Sequence, residues 1–166
     1  MRVLPADRRL RLIVRTDGAA RGNPGPAGAG VSITDERGEV VAEVAEGLGV
    51  ATNNVAEYTA AIRGLERARD LGASQVVLRS DSRLLVEQLS GRFKVKNPRL
   101  QQLHAQARAI AAGFERVRYE HVPRERNTEA DRLANAGVDA WLAGERATRS
   151  DPSPRSGRSG PGRERT

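Results

Sequence analysis

Three apolar runs rich in β-branched residues follow one another near the start of the chain, before any helical pattern begins. They are LRLIV (10–14), AGVSIT (29–34) and EVVAEVAEGLGV (39–50), and a DERG turn joins the second run to the third. Consecutive strands with short connections pair antiparallel, because a parallel neighbour needs a crossover of about a dozen residues. The chain is therefore predicted to start as an antiparallel meander, so the fold must contain a sheet.

The rest of the sequence mixes helical and strand patterns. Helical apolar spacing covers 52–72, 82–91, 98–112 and 127–143, and strand patterns cover 75–82 and 114–122. Thr52 or Asn53 is expected to cap the first helix, and Pro98 to open the third. The predicted fold is α/β: a five-stranded mixed sheet, its first three strands antiparallel, flanked by helices in the order βββαβααβα.

The length of 166 residues suits one domain with a sizeable core. Cysteine is absent from the sequence, so disulfides and thiolate metal sites are excluded. No apolar run approaches the ~20 residues that span a bilayer. We predict a monomeric cytoplasmic protein with no membrane partner. Its domain covers residues 1–143, and residues 144–166, rich in Arg, Ser, Gly and Pro, form a disordered tail or a linker.

Basic side chains outnumber acidic ones by 28 to 21, a formal net charge of +7. Six of the arginines lie in 144–166 beside three acidic residues, so the rest of the chain is basic as well. An excess of positive charge favours a polyanionic partner such as nucleic acid. The preference for Arg over Lys has an equally good explanation in genome composition.

Four carboxylates occupy positions at which strand ends and helix starts can converge. Asp17 and Asp81 lie at the ends of the first and fourth predicted strands, whereas Glu57 and Asp131 lie in predicted helices. Taken singly, each has an ordinary explanation as a cap, a turn residue or a solvated helix position. Taken together, they would repel one another unless a divalent cation neutralised them, and hard oxygen ligands favour Mg²⁺ or Mn²⁺.

Four segments resemble, in order, the signature blocks of type 1 ribonuclease H. They are DGAARGNPGPAG (17–28), TNNVAEY (52–58), SDS (80–82) and HVPRERNTEAD (121–131). The resemblance implies the ribonuclease H-like fold and an endonuclease that cuts the RNA strand of an RNA–DNA hybrid. It also implies two Mg²⁺ ions, for which Mn²⁺ can substitute, and products with 5′-phosphate and 3′-hydroxyl ends.

The resemblance also assigns roles to individual residues. The metal-binding and catalytic carboxylates would be Asp17, Glu57, Asp81 and Asp131, with Asp17 bridging both ions. Two sets of substrate contacts follow. The first comes from the signature blocks and comprises Gly22, Asn23, Thr52, Asn53 and Asn54. The second is basic and comprises Lys94, Lys96 and Arg124.

The sequence departs from the family pattern in two places. The segment GRFKVKNPRL replaces the long basic handle that some bacterial members carry, which predicts weaker hybrid binding. Near the last carboxylate the nearest histidine is His121, which is either a catalytic helper or a packed strand residue, and Arg124 or Glu125 can occupy that space instead. Cleavage of double-stranded RNA stays open, and the rival hypothesis is a non-catalytic hybrid-binding module.

Overall fold

The structure, a computed structural model, describes residues 10–150, with side chains up to residue 145. Its strands are Arg11–Ala20 (β1), Gly25–Thr34 (β2), Val40–Ala51 (β3), Gln75–Ser80 (β4) and Arg116–His121 (β5). Its helices are Asn53–Asp70 (α1), Arg83–Leu89 (α2), Pro98–Ala111 (α3) and Thr128–Ser150 (α4), with a 3₁₀ turn at Arg124–Arg126. The element order within this range is the predicted one.

The strands form one mixed sheet in the spatial order β3-β2-β1-β4-β5. The pairs β1–β2 and β2–β3 are antiparallel, while β1–β4 and β4–β5 are parallel. The predicted antiparallel meander and the predicted five-stranded mixed sheet are therefore confirmed. The two parallel pairs follow from the helical connections, because a strand that returns parallel needs a crossover.

The first two strands are longer than the apolar runs that predicted them. β1 continues to Ala20 and β2 starts at Gly25, so the glycine-rich segment is mostly strand around a tight connection at residues 21–24. The Arg21 N–H donates to the Pro26 carbonyl at 2.8 Å and closes this hairpin. Asp17 consequently lies inside β1, paired with Gly30, and not at the strand's end as predicted. Backbone pairing needs no large side chain, so glycine-rich sequence hides such strands.

Helices cover the two faces of the sheet. Val31 and Ile33 of β2 belong to the core cluster that also contains buried residues of α1, α2 and α3. Gly28 and Gly30 point the other way, because alternate residues of a strand face opposite sides. A Cβ on Gly30 would lie 2.1 Å from the Ala130 carbonyl oxygen of α4. Glycine in β2 is therefore what allows α4 to pack directly on the sheet.

The last helix is longer than predicted. The prediction ended it at Ala143, whereas α4 continues to Ser150, so the first part of the predicted tail is helical. Residues 151–166 of that tail, and residues 1–9 of the predicted domain, lie outside the described residues. Trp141 packs against β3, where a Cβ added to Gly47 would lie 2.6 Å from the Cβ of Trp141. Within residues 10–150, no helix has the length and apolar character to cross a membrane.

Candidate active site

Two of the predicted carboxylates emerge side by side from neighbouring strands. The parallel ladder between β1 and β4 ends at the pair Arg15 and Arg79. Asp17 and Asp81 each lie two residues beyond that pair, so they reach the same edge of the sheet. Ser82 caps α2, since its hydroxyl accepts from the Leu85 N–H at 3.2 Å. The alternative explanation of Asp81 as the helix cap is therefore wrong.

Glu57 joins these two residues from α1. Its Oε1 accepts a hydrogen bond from the Gly18 N–H at 3.1 Å. A Cβ on Gly18 would lie 2.3 Å from the carbonyl carbon of Ala56 and from the backbone nitrogen of Glu57, so only glycine permits this approach of α1 to β1. Carboxylate oxygens of Asp17, Glu57 and Asp81 all lie within 4.8 Å of one another.

Asp131 approaches the cluster from the opposite face of the sheet. It lies in the first turn of α4, is exposed, and comes within hydrogen-bonding reach of Asp17 when that carboxyl is protonated. The preceding turn is anchored by Asn127, a fully buried residue whose Nδ2 donates to the Thr16 carbonyl at 2.9 Å. The fold thus brings Asp17, Glu57 and Asp81 together, and Asp131 lies outside that group but near enough to Asp17 to act on its pKa.

Burial and mutual repulsion make the ionised cluster unfavourable. Burial first, and then the charges of Asp81 and Asp131, raise the pKa of Asp17 to about 8. Burial and the same kind of repulsion, from Asp17 and Asp81, raise the pKa of Glu57 well above its usual range, against the hydrogen bond from Gly18. Crowded carboxylates with raised pKa values and only oxygen donors fit a hard divalent cation, which would stabilise their ionised forms.

A glycine-containing loop lies beside this cluster. Gly22 has φ +107°, a conformation that favours glycine, and it is exposed together with Asn23. The Asn23 Oδ1 accepts from the Asn53 N–H at 3.0 Å, which ties the loop to the start of α1. Thr52 caps that helix, accepting from the Val55 N–H at 3.2 Å. The loop and the start of α1 thus form one ordered surface next to the carboxylates.

The chain is similar to known ribonucleases H over most of its length. The Reverse transcriptase-like family matches residues 15–137. Ribonuclease HI of Halobacterium salinarum is 43% identical, over 82% of this chain and 69% of that protein. This chain belongs to the ribonuclease H type 1 family. A bifunctional protein of Mycobacterium tuberculosis is 52% identical over 79% of this chain, but the match spans only 36% of that protein's length.

Solved structures of the family share this fold. The N-terminal RNase H domain of a Mycobacterium tuberculosis protein has a TM-score of 0.76 at 50% identity, covering 77% of this chain and 98% of that one. An RNase H1 isolated from compost, in complex with an RNA/DNA hybrid, has a TM-score of 0.76 at 44% identity, covering 79% and 99%. The predicted ribonuclease H-like fold is therefore confirmed.

Arg124 is a basic residue whose charge acts on the carboxylates of the site. Arg124 lies in the 3₁₀ turn before α4, and its charge opposes the burial and repulsion that raise the pKa values of Asp17 and Glu57. His121 is exposed at the end of β5, and no hydrogen bond or ion pair joins it to the carboxylates among the described residues. Of the two, Arg124 has the electrostatic link to the cluster.

The predicted lysine contacts lie on an anchored loop after α2. Lys94 and Lys96 are exposed, while the Lys94 carbonyl accepts from the Gln88 Nε2 at 3.1 Å. The buried Gln88 in turn accepts a hydrogen bond from the Tyr58 hydroxyl at 2.6 Å. The loop backbone is thus held to the core and leaves both ammonium groups in solvent. Asn53 and Asn54 are likewise exposed at the start of α1.

Two polar residues near the site were missed from the sequence. Arg21 of the glycine-containing loop reaches α4, and Asn135 of α4 contacts Asp131. The spacing of four residues between Asp131 and Asn135, one helical turn, was available in the sequence as a signal. Arg21 gave no such signal, because its partner lies 114 positions away.

Proposed function

We propose that this chain is an endonuclease that hydrolyses the RNA strand of RNA–DNA hybrids. The observation that carries the proposal is the cluster of Asp17, Glu57 and Asp81, whose carboxylate oxygens lie within 4.8 Å of one another. Family membership supports it, and so does the related compost RNase H1 whose structure contains an RNA/DNA hybrid. The products are expected to carry 5′-phosphate and 3′-hydroxyl ends.

The proposed cofactor is a pair of Mg²⁺ ions, replaceable by Mn²⁺. Asp17, Glu57, Asp81 and Asp131 would hold them, with Asp17 shared between both. When bound, such ions supply activation of the attacking water and stabilisation of negative charge on the leaving 3′ oxygen. The chain's own contribution is to hold the carboxylates close together and largely buried, since Asp17 and Glu57 are each 5% exposed.

The proposed hybrid-binding surface surrounds the cluster. The exposed Gly22 and Asn23 would approach the minor groove, in which 2′-hydroxyls identify the RNA strand. The start of α1, with Thr52, Asn53 and Asn54, would contact phosphates and base edges. Lys94, Lys96 and Arg124 would contact further phosphates, and their exposure and charge support this role.

The decisive experiment measures cleavage of short end-labelled duplexes in Mg²⁺ and in Mn²⁺. The substrates are an RNA–DNA hybrid, double-stranded RNA and double-stranded DNA, and the proteins are the unaltered chain, Asp17→Asn and the control Asp70→Asn. Asp70 is exposed at the end of α1, so the control makes the same chemical change away from the site. We expect cleavage of the RNA strand of the hybrid by the unaltered chain and the control only.

The same experiment distinguishes the rival function. Binding of the hybrid in a gel-shift assay, with no substrate cleaved in either metal, would contradict the proposal and identify a non-catalytic binding module. Cleavage of double-stranded RNA in addition to the hybrid would widen the proposed specificity and leave the assigned site unchanged. Cleavage that persists in Asp17→Asn would show that the catalytic site lies elsewhere.

A further inference from the structure

Arg21 of the glycine-containing loop contacts two residues of α4. The guanidinium of Arg21 forms an ion pair with Asp139, with Nη1 2.8 Å from Oδ1. Its Nη2 donates to the Asn135 Oδ1 at 3.1 Å. Because a guanidinium presents several donors in one plane, Arg21 holds two residues of α4 at once. Residues 21–24 are therefore fastened to the helix that carries Asp131.

The second contact continues from Asn135 to Asp131. Asn135 donates through Nδ2 to the Asp131 carbonyl at 3.0 Å and to the Asp131 Oδ1 at 3.4 Å. Since its Oδ1 is occupied by Arg21, the amide is oriented with its NH₂ group towards the carboxylate. Among the described residues, Asn135 is the only nitrogen donor that hydrogen-bonds the Asp131 carboxylate.

Asp131 needs such support more than Asp17 and Glu57 do. Asp17 and Glu57 are buried and fixed by packing, and Glu57 also accepts from the Gly18 N–H. Asp131 is exposed, so its side chain has rotational freedom that packing does not remove. A carboxylate that must present an oxygen to a cation loses affinity when its orientation is left free.

The loop is also fastened on its other side. Asn23 accepts from the Asn53 N–H at the start of α1, the helix that carries Glu57. The same short loop therefore contacts both helices that supply carboxylates to the cluster from outside the sheet. In the proposed function this loop also binds the hybrid, so it would connect the bound substrate to the helix that carries Asp131.

We propose that Asn135, oriented by Arg21, is a positioning residue that holds the Asp131 carboxylate in its metal-binding orientation. The inference rests on the proposed function, in which Asp131 binds a divalent ion. It goes further in assigning to the glycine-containing loop a role in forming the metal site, in addition to contacting the hybrid. Arg21 acts through Asn135 and does not itself reach the Asp131 carboxylate among the contacts of the described residues.

The test compares Asn135→Ala, Arg21→Ala, Arg21→Lys and the control Arg132→Ala. Arg132 is an exposed arginine of the same helix that pairs with Glu129 and Glu43, so its removal takes one positive charge from near Asp131 without disturbing Asn135. The first readout is thermal unfolding without substrate as a function of Mg²⁺ concentration. The second is the separation of kcat from KM for hybrid cleavage.

We expect Asn135→Ala to raise the Mg²⁺ concentration for half-maximal stabilisation by about tenfold and to lower kcat by a similar factor. KM should change less than kcat, because the Asn135 amide is occupied by Arg21 and Asp131 and is not expected to contact the hybrid. Arg21→Ala should act in the same direction with a smaller effect, and Arg21→Lys should resemble it, because an ammonium lacks the planar fork. Combining Arg21→Ala with Asn135→Ala should raise the Mg²⁺ midpoint and lower kcat no further than Asn135→Ala does alone.

The sign of the Arg21 effect decides between positioning and simple charge. Loss of a positive charge alone strengthens cation binding, and Arg132→Ala measures that effect. Weaker Mg²⁺ binding in Arg21→Ala would support positioning, whereas stronger binding equal to that of Arg132→Ala would overturn it. An unchanged Mg²⁺ midpoint in Asn135→Ala would also overturn it. If the unaltered chain cuts no hybrid and gains no stability from Mg²⁺, the proposed function itself has failed, which is a separate result.

Discussion

Asp17 and Glu57 lie in one region of the molecule and Asp131 in another, and the two regions hold their carboxylates differently. In the β1–α1 region, Asp17 and Glu57 are each 5% exposed, and the contact of Gly18 with the α1 backbone fixes their separation. In the α4 region, Asp131 is exposed and its carboxylate is held by the Asn135 amide. The first region relies on packing and the second on a hydrogen bond.

The difference shows that one site can combine carboxylates fixed by packing with a carboxylate held by a hydrogen bond. Burial, and then repulsion between the carboxylates, raise the pKa values of Asp17 and Glu57, so their ionised forms are unfavourable without a cation. An exposed carboxylate such as Asp131 keeps its hydration, so this cost of burial does not apply to it. We therefore expect the first region to dominate both metal-dependent activity and metal-free instability.

The largest expected difference between the regions is in catalysis. Glu57→Gln should lower the cleavage rate about a thousandfold, equivalent to about 4 kcal/mol of transition-state stabilisation, because the proposed metal site would lose a buried ligand that solvent does not replace. Asp131→Asn should lower it by only about 10- to 100-fold, since solvent can replace an exposed ligand. Single-turnover cleavage of the hybrid in Mg²⁺ measures both values.

Equal losses in the two variants would contradict this ranking. The control is Glu129→Gln, which alters an exposed carboxylate in the first turn of α4 and whose contacts are with Arg132. Its cleavage rate should stay within about twofold of that of the unaltered chain.

The next largest effect concerns the packing of the β1–α1 region. Gly18→Ala places a Cβ 2.3 Å from backbone atoms of Ala56 and Glu57, so α1 must shift away from β1. We expect a loss of at least about 3 kcal/mol in the free energy of unfolding, measured by urea denaturation.

Glycine at another position supplies the control for this substitution. Gly144→Ala adds a Cβ in α4 with no heavy atom within 4 Å outside the neighbouring helix backbone, and it should stabilise by about 0.5 to 1 kcal/mol. A Gly18→Ala protein as stable as the parent would show that the close approach of α1 to β1 is not required.

The pH dependence of the stability of the metal-free protein tests the cost of ionising the buried carboxylates. The Asp17 carboxyl has an ordinary pKa of 3.8 and a pKa of about 8 in the folded chain, so the folded state binds more protons between these values. The free energy of unfolding should therefore fall as pH rises through this window, by about 3 kcal/mol between pH about 5.5 and about 8. Chemical denaturation in EDTA at several pH values measures the slope.

A variant and a ligand, Asp17→Asn and Mg²⁺, identify the source of that pH dependence. Asp17→Asn should reduce the slope and stabilise the metal-free protein at high pH, because residue 17 no longer ionises. The raised pKa of Glu57 should leave part of the slope in place. Saturating Mg²⁺ should raise the stability of the unaltered chain at high pH, since binding to the folded state alone is stabilising. A slope unchanged in Asp17→Asn would place the responsible group elsewhere.

Local sequence patterns were sufficient to predict the sheet and the order of its strands and helices. Apolar alternation predicted the strands, and Thr52 and Pro98 predicted the starts of two helices. The extension of β1 and β2 through glycine-rich sequence was missed, because the helices that pack on those glycines are distant in the chain. The extra turns of α4 were missed because the prediction relied on apolar residues, and residues 144–150 contain only Ala147 of that kind.

The difference between the regions was not visible in the sequence. Asp17, Glu57 and Asp131 are all carboxylates beside plausible turn or helix residues, and their burial depends on contacts between distant elements. Gly18 illustrates this, since its role appears only when α1 is packed against β1. The link from Arg21 to Asn135 likewise depends on which side of α4 faces the loop.

The smallest expected effect is the stability of Asp131→Asn, and it tests the comparison from the exposed side. Asparagine keeps an oxygen that can accept from the Asn135 amide, and it removes a charge that adds to the repulsion on Asp17. Because water already stabilises the exposed Asp131, the gain should stay below about 0.5 kcal/mol in EDTA at pH about 8, well under the gain from Asp17→Asn. Urea denaturation of the two variants under identical conditions measures the difference. Equal gains would mean that Asp131 shares fully in the repulsion of the buried cluster, and the two regions would then differ in packing alone.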